Sequence, residues 1–85
     1  MEDLQTFRAQ LEQIDEKLVA LLNDRCELSL KIGQWKKLHA VPVLDSNREA
    51  DVMAKLKSLN RGTLPESDLE KIYQAILECS RSLQK

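Results

Sequence analysis

From Leu4 to Trp35, the positions Leu4, Phe7, Leu11, Ile14, Leu18, Leu21, Arg25, Leu28, Ile32 and Trp35 follow an unbroken alternation of three- and four-residue steps. That repeat predicts one long amphipathic helix with a single inward stripe, running from about residue 3 to about residue 38. Gly33 is its only weak point, at ~1 kcal/mol relative to alanine. Val41-Pro42-Val43 stops the helix, because the residue before a proline is pushed out of the helical region. A second helix follows Leu44, where Asp45 or Ser46 can cap it and Ser46 with Glu49 makes a capping box. Val52, Met53, Leu56 and Leu59 keep helical spacing, and Asn60-Arg61-Gly62 reads as the stop. The third helix opens near Pro65, with Ser67/Glu70 as a second box, and its inner face is Leu69, Ile72, Tyr73, Ile76, Leu77, Ser80 and Leu83. The pattern contains no strand and no internal repeat. The fold class is all-α, with three helices per chain, one very long and N-terminal and two shorter.

The length of the first helix bears on assembly. About 36 residues span ~54 Å, whereas a compact chain of 85 residues is only about 30 Å across. The two shorter helices cannot cover the whole stripe. A second copy of the chain is expected to bury the rest, most simply as a two-fold dimer.

Nine of the ten stripe positions are apolar, and Arg25 interrupts them with a guanidinium that cannot shed its charge. An unpaired charge there would cost several kcal/mol. Either a carboxylate of the protein or an anionic ligand must compensate it. Lys36, eleven positions on, differs from Arg25 by only ~20° around the helix, whereas Arg8 lies ~80–100° from both. Arg8 therefore cannot serve the same pocket within its own chain, but an antiparallel partner could deliver it. Asp45, Arg48 and Glu49 share a face of the second helix, and Ser80 and Gln84 stand one turn apart on the third. Taken singly, each has an ordinary explanation. Lys36 beside Lys37 suits a solvated helix end, Arg48/Glu49 a surface pair, and Asp45 an N-cap. Ser80 and Gln84 pass as exposed fillers, and His39 as a loop residue.

Composition narrows the chemistry. The net charge is −1, and Phe7, Trp35 and Tyr73 are the only aromatic residues, so neither a basic field nor a stacking platform for nucleic acid is present. The acidic start Met1-Glu2-Asp3 and the lack of any long apolar run predict no signal peptide, no membrane span and a soluble cytoplasmic setting. Cys26 and Cys79 lack metal-ligand spacing and read as packing thiols. With one histidine and two glycines, no nucleophile–base set and no phosphate-binding glycine loop can be assembled. A catalyst built from Arg, Lys, Gln, Ser and Glu would hold anions and donate hydrogen bonds, without metal or cofactor.

The ordered set Arg8, Ile14-Asp15, Leu21-Leu22, Arg25, Ile32-Gly33, Lys36, Pro42-Val43, Asp45, Arg48-Glu49, Ser80 and Gln84 resembles the all-helical class of chorismate mutase over essentially the full chain. The resemblance implies one domain over residues 1–85, an intertwined helical homodimer, and two sites each completed by the partner's Arg8. It implies the Claisen rearrangement of chorismate to prephenate in phenylalanine and tyrosine biosynthesis, with no cofactor and no metal. In that frame Arg25 and the partner's Arg8 hold the carboxylates, with Ser80 supporting one of them. Lys36 and Gln84 donate to the ether oxygen, and Glu49 accepts from the ring hydroxyl. Asp45 and Arg48 complete the pocket, and Ile32, Val52 and Leu77 form its apolar walls. Catalysis would rest on Lys36, Gln84, Arg25 and Glu49.

Three other readings use the same residues. One is an isochorismate pyruvate lyase on the same scaffold. Another is a regulatory module that binds chorismate or prephenate without turnover, and the last is a plain dimerisation module. The resemblance also leaves open a continuation past Lys85 into a prephenate-processing domain, and a helix ending at Gln84 is expected to fray.

Overall fold

The first helix is opened by Asp3, whose Oδ1 accepts from the Thr6 backbone N–H at 3.0 Å and from its hydroxyl at 3.1 Å. The Thr6 backbone bond, then its hydroxyl, lowers the Asp3 pKa below the ordinary aspartate value. The cap is therefore fully formed at neutral pH and is lost only as pH falls through that depressed value. In the computed structural model, which describes residues 3–85, helix α1 runs Leu4–Leu38, α2 Ser46–Leu59 and α3 Glu66–Gln84. Met1 and Glu2, part of the acidic start, lie outside the described residues. Among the described residues there is no strand, and no helix is long and apolar enough to cross a membrane.

Helix α1 ends differently from the proline stop that the sequence suggests. His39 is the C-cap, and Ala40 follows with φ 54°. Ala40 N–H donates to Lys37 O at 3.4 Å and Val41 N–H to Lys36 O at 2.8 Å. This pair of reverse bonds closes the helix as a Schellman turn, with alanine where glycine is the usual residue. Pro42 lies beyond a stop already made. His39 also stacks on Trp35, with ring centroids 4.0 Å apart.

Neither capping box forms. Asp45 caps α2 by accepting from Arg48 N–H at 2.9 Å, so Ser46 is already helical and Glu49 is free to turn elsewhere. Pro65 is the N-cap of α3 without a side-chain bond. Glu70 instead pairs with Lys57 of α2 at 2.5 Å, a bond that raises the Lys57 pKa.

Helix α3 packs on both other helices, and it runs parallel to the second half of α1. Ser29 meets Ser80 and Gly33 meets Gln84, a constant offset of 51 residues. Helix α2 runs antiparallel to α3, with Lys57 beside Glu70 and Glu49 beside Arg81. The α1 face on α3 is Leu22, Cys26, Ser29 and Gly33, one residue on from the apolar stripe. Small side chains there let the helices approach closely.

The stripe itself stays uncovered in the single chain. Phe7 is 48% exposed, Leu18 50%, Leu21 63% and Trp35 54%. The molecule measures 58 × 23 × 15 Å, so α1 projects well past α3. The shorter helices leave the stripe open for a simple reason. They pack on the neighbouring face.

Candidate active site

Between α1, α2 and α3 lies a cleft of about 410 Å³, and its position follows from the turn after α1. The Schellman closure brings Val43 back beside the helix, where its carbonyl accepts from Lys36 Nζ at 2.8 Å. Lys36 Nζ also donates to Gln84 Oε1 at 2.7 Å. Gln84 Nε2 donates to Ser80 Oγ at 3.2 Å, and Ser80 Oγ shares a hydrogen bond of 2.6 Å with Ser29 Oγ. The Lys36 contact fixes which end of the Gln84 amide is oxygen. An ammonium has three donors and a primary amide two. Lys36 and Gln84 thus each keep one N–H unpartnered among the described residues.

Gln84 is only 8% exposed and Ser29 3%. Lys36 and Ser80 hold the Gln84 side chain from both sides. The reading of Gln84 as an exposed filler is displaced. Ser80 is half-buried.

The cleft is lined by Arg25, Lys36, Asp45, Arg48, Glu49, Ser80 and Gln84, with Leu28, Ile32, Val52 and Leu77 among its apolar wall. Arg25 has no carboxylate within ion-pair distance among the described residues, so an in-chain acid does not compensate it. Asp45 faces the cleft while serving as the α2 cap. Arg8 is exposed on α1 and absent from the lining, ~25 Å along the helix from Arg25. Four cations face two carboxylates here, in a chain whose net charge is −1. An anion is the ligand that such a concentration of charge attracts.

Two lining residues escaped the sequence reading. Ser29 belongs to the small-residue face one step from the apolar stripe, and that step was the available signal. Arg81 donates from Nη1 to both oxygens of Glu49, at 2.6 and 2.7 Å. No spacing rule joins residues on different helices, so that pair could not be anticipated. Beside the cleft, a second hollow is lined by Leu22, Cys26, Ala75, Ile76 and Cys79, together with Arg25, Ser29 and Ser80. Burial, then the neighbouring Cys79, raises the Cys26 pKa, so this thiol stays protonated at neutral pH. Cys79 is exposed.

Residues 7–85 match the family model described as chorismate mutase type II. The chain belongs to that family. A bifunctional chorismate mutase/prephenate dehydratase of Aquifex aeolicus is 34% identical over 89 residues, covering all of this chain and 25% of the relative. A chorismate mutase of Methanocaldococcus jannaschii is 27% identical over 86 residues, covering all of this chain and 87% of the relative. A solved structure of a conserved hypothetical protein from Pyrococcus furiosus superposes with a TM-score of 0.79 at 28% identity, over 96% of this chain and 95% of that one. The chain thus spans a quarter of the bifunctional Aquifex relative and most of the Methanocaldococcus one. The three helices, with no strand among the described residues, are the all-helical architecture of the chorismate mutase family.

Proposed function

We propose that this chain is a single domain that converts chorismate to prephenate by a cofactor-free Claisen rearrangement, in a cytoplasmic, two-fold homodimer. The observation that carries the reading is the pairing of Lys36 Nζ with Gln84 Oε1 at 2.7 Å in a cleft with excess positive charge. Chorismate is a dicarboxylate whose ether C–O bond breaks as a C–C bond forms, with negative charge building on the ether oxygen. No proton changes hands, so the site needs no acid–base pair. It needs a shape that folds the substrate toward its reactive chair and donors aimed at the ether oxygen.

The unpartnered N–H groups of Lys36 and Gln84 supply that donor pair. Arg25, with Ser80 beside it, holds one carboxylate, and the partner's Arg8 holds the other. Glu49 accepts from the ring hydroxyl. Arg48 and the backbone at Asp45 close the pocket, while Ile32, Val52 and Leu77 pack on the ring. The exposed stripe of α1 supports the dimer, because an apolar face of that length is rarely left in water. An antiparallel α1 of a second copy would cover it and carry Arg8 to the cleft. Sedimentation should give a dimer at micromolar concentration. A monomer at that concentration would remove both the dimer and the delivery of Arg8.

The deciding assay is chorismate consumption by the purified chain with chelator and no added cofactor, followed by product identification. Prephenate as the sole product is the expected result. Release of pyruvate would mean the lyase chemistry instead, and tight binding without turnover a regulatory module.

A further inference from the structure

Among the cations that line the cleft, Arg81 alone is matched to a carboxylate of the described chain, through its double contact with Glu49. The side chains of Arg81 and Glu49 are 31% and 26% exposed, so the pair sits at a partly desolvated rim where charge acts more strongly than on open surface. Glu49 comes from the first turn of α2 and Arg81 from the last turn of α3. A second bridge, Lys57 to Glu70, ties the far end of α2 to α3, so the attachment of α2 does not hang on Arg81 alone.

We propose that Arg81 is a positioning and specificity residue that acts through Glu49. It fixes the carboxylate that accepts from the substrate's ring hydroxyl and cancels its charge. The cleft then favours a neutral hydroxyl over an ammonium at the same ring carbon. This rests on the mutase reading above. Carboxylate oxygens engaged by one guanidinium nitrogen keep further lone pairs, so Glu49 can still accept from a hydroxyl. A bare carboxylate would instead attract an ammonium as a counter-ion. With Arg81 in place that attraction is offset, and the guanidinium adds like-charge repulsion against the wrong substrate.

The test compares the unaltered chain with Arg81→Met and Arg81→Lys, on chorismate and on its analogue carrying an amine in place of the ring hydroxyl. For Arg81→Met, KM for chorismate should rise about tenfold while kcat stays within about threefold, as for loss of a ground-state contact. The ratio of kcat/KM for amine over hydroxyl should also rise about tenfold. Arg81→Lys, which keeps the charge, should hold that ratio within about threefold of the unaltered chain. In a Glu49→Gln background, Arg81→Met should no longer move the ratio. Arg81→Gln, an uncharged donor to Glu49, gives the same reading if the methionine variant does not fold.

An unchanged ratio in Arg81→Met, with or without a lower unfolding midpoint, would overturn the proposal and leave Arg81 a tie between helices. An equal shift in the Glu49→Gln background would also overturn it, because Arg81 would then be touching substrate itself. An unaltered chain that does not turn over chorismate would defeat the mutase reading in its own right. Turnover with an unmoved ratio would defeat only the role of Arg81.

Discussion

Replacing Lys36 by alanine should lower kcat/KM for chorismate by a factor on the order of 10²–10³, about 3–4 kcal/mol of transition-state stabilisation. The residue does two things at once. In the proposed mechanism its free N–H stabilises the charge that develops on the ether oxygen. Its other two donors hold Val43 O at 2.8 Å and Gln84 Oε1 at 2.7 Å, so its removal also frees the Gln84 amide to turn over. The losses from Lys36→Ala and Gln84→Ala should therefore not add. The double variant should be little worse than Lys36→Ala, as expected of groups that act as a unit. A fall in kcat with little change in KM would place the contact in the transition state rather than in substrate binding.

Gln84→Glu separates the two roles further. A carboxylate beside Lys36 cannot donate until it is protonated, so that variant should be active mainly at low pH. The unaltered chain carries a neutral amide there and should show a flat rate through neutral pH. If Lys36→Ala loses less than about fivefold, Lys36 is only a charged helix end and the mechanism has lost its main donor.

How much of this could be read from one sequence differs between the helices and the cleft. Helix α1 was legible because its apolar steps run without a break from Leu4 to Trp35, and a long run makes periodicity decisive. Arg25 and Lys36 were legible as a pair because they share a helix, where angle and rise are fixed. Which face α3 would choose was not. The stripe that stands out by hydropathy remains open, and α3 takes the quieter face of Leu22, Cys26, Ser29 and Gly33. Small residues are poor hydropathy signals, yet they set how near two backbones can come. The stop after Leu38 is hidden from the sequence for a similar reason. Ala40 occupies a left-handed position for which the sequence offers neither Gly nor Asn as a marker. Glu49 fits half of a capping box with Ser46, a local possibility that loses to Arg81 thirty-two residues away. A helix-end motif competes with any stronger partner that tertiary packing supplies, and the chain pattern does not record that competition.

Gly33→Ala should cost about two orders of magnitude in rate while changing the unfolding free energy by no more than about 2 kcal/mol. An ideal Cβ on Gly33 would lie 2.6 Å from Gln84 Cα, 2.6 Å from its carbonyl oxygen and 2.9 Å from its carbonyl carbon. All three are backbone atoms and cannot swing aside as a side-chain tip would. The substitution gains ~1 kcal/mol of helix propensity in α1 and loses ~1–3 kcal/mol to overpacking, so the two terms largely offset in stability. They do not offset in geometry. The cheapest relief is for the last turn of α3 to move off α1, and that turn carries Gln84, with Ser80 one turn earlier. A displacement on the order of 1 Å takes the Gln84 amide out of reach of Lys36 and of the ether oxygen, which is the scale of misplacement that costs ~10²-fold. Ser29→Ala serves as the control, because it removes one hydrogen bond to Ser80 without forcing the helices apart. Chemical denaturation and steady-state kinetics on the two variants together check the claim. Full activity in Gly33→Ala would mean that α3 can yield without moving its last side chains, and the close approach at Gly33 would then have no part in holding the donor pair.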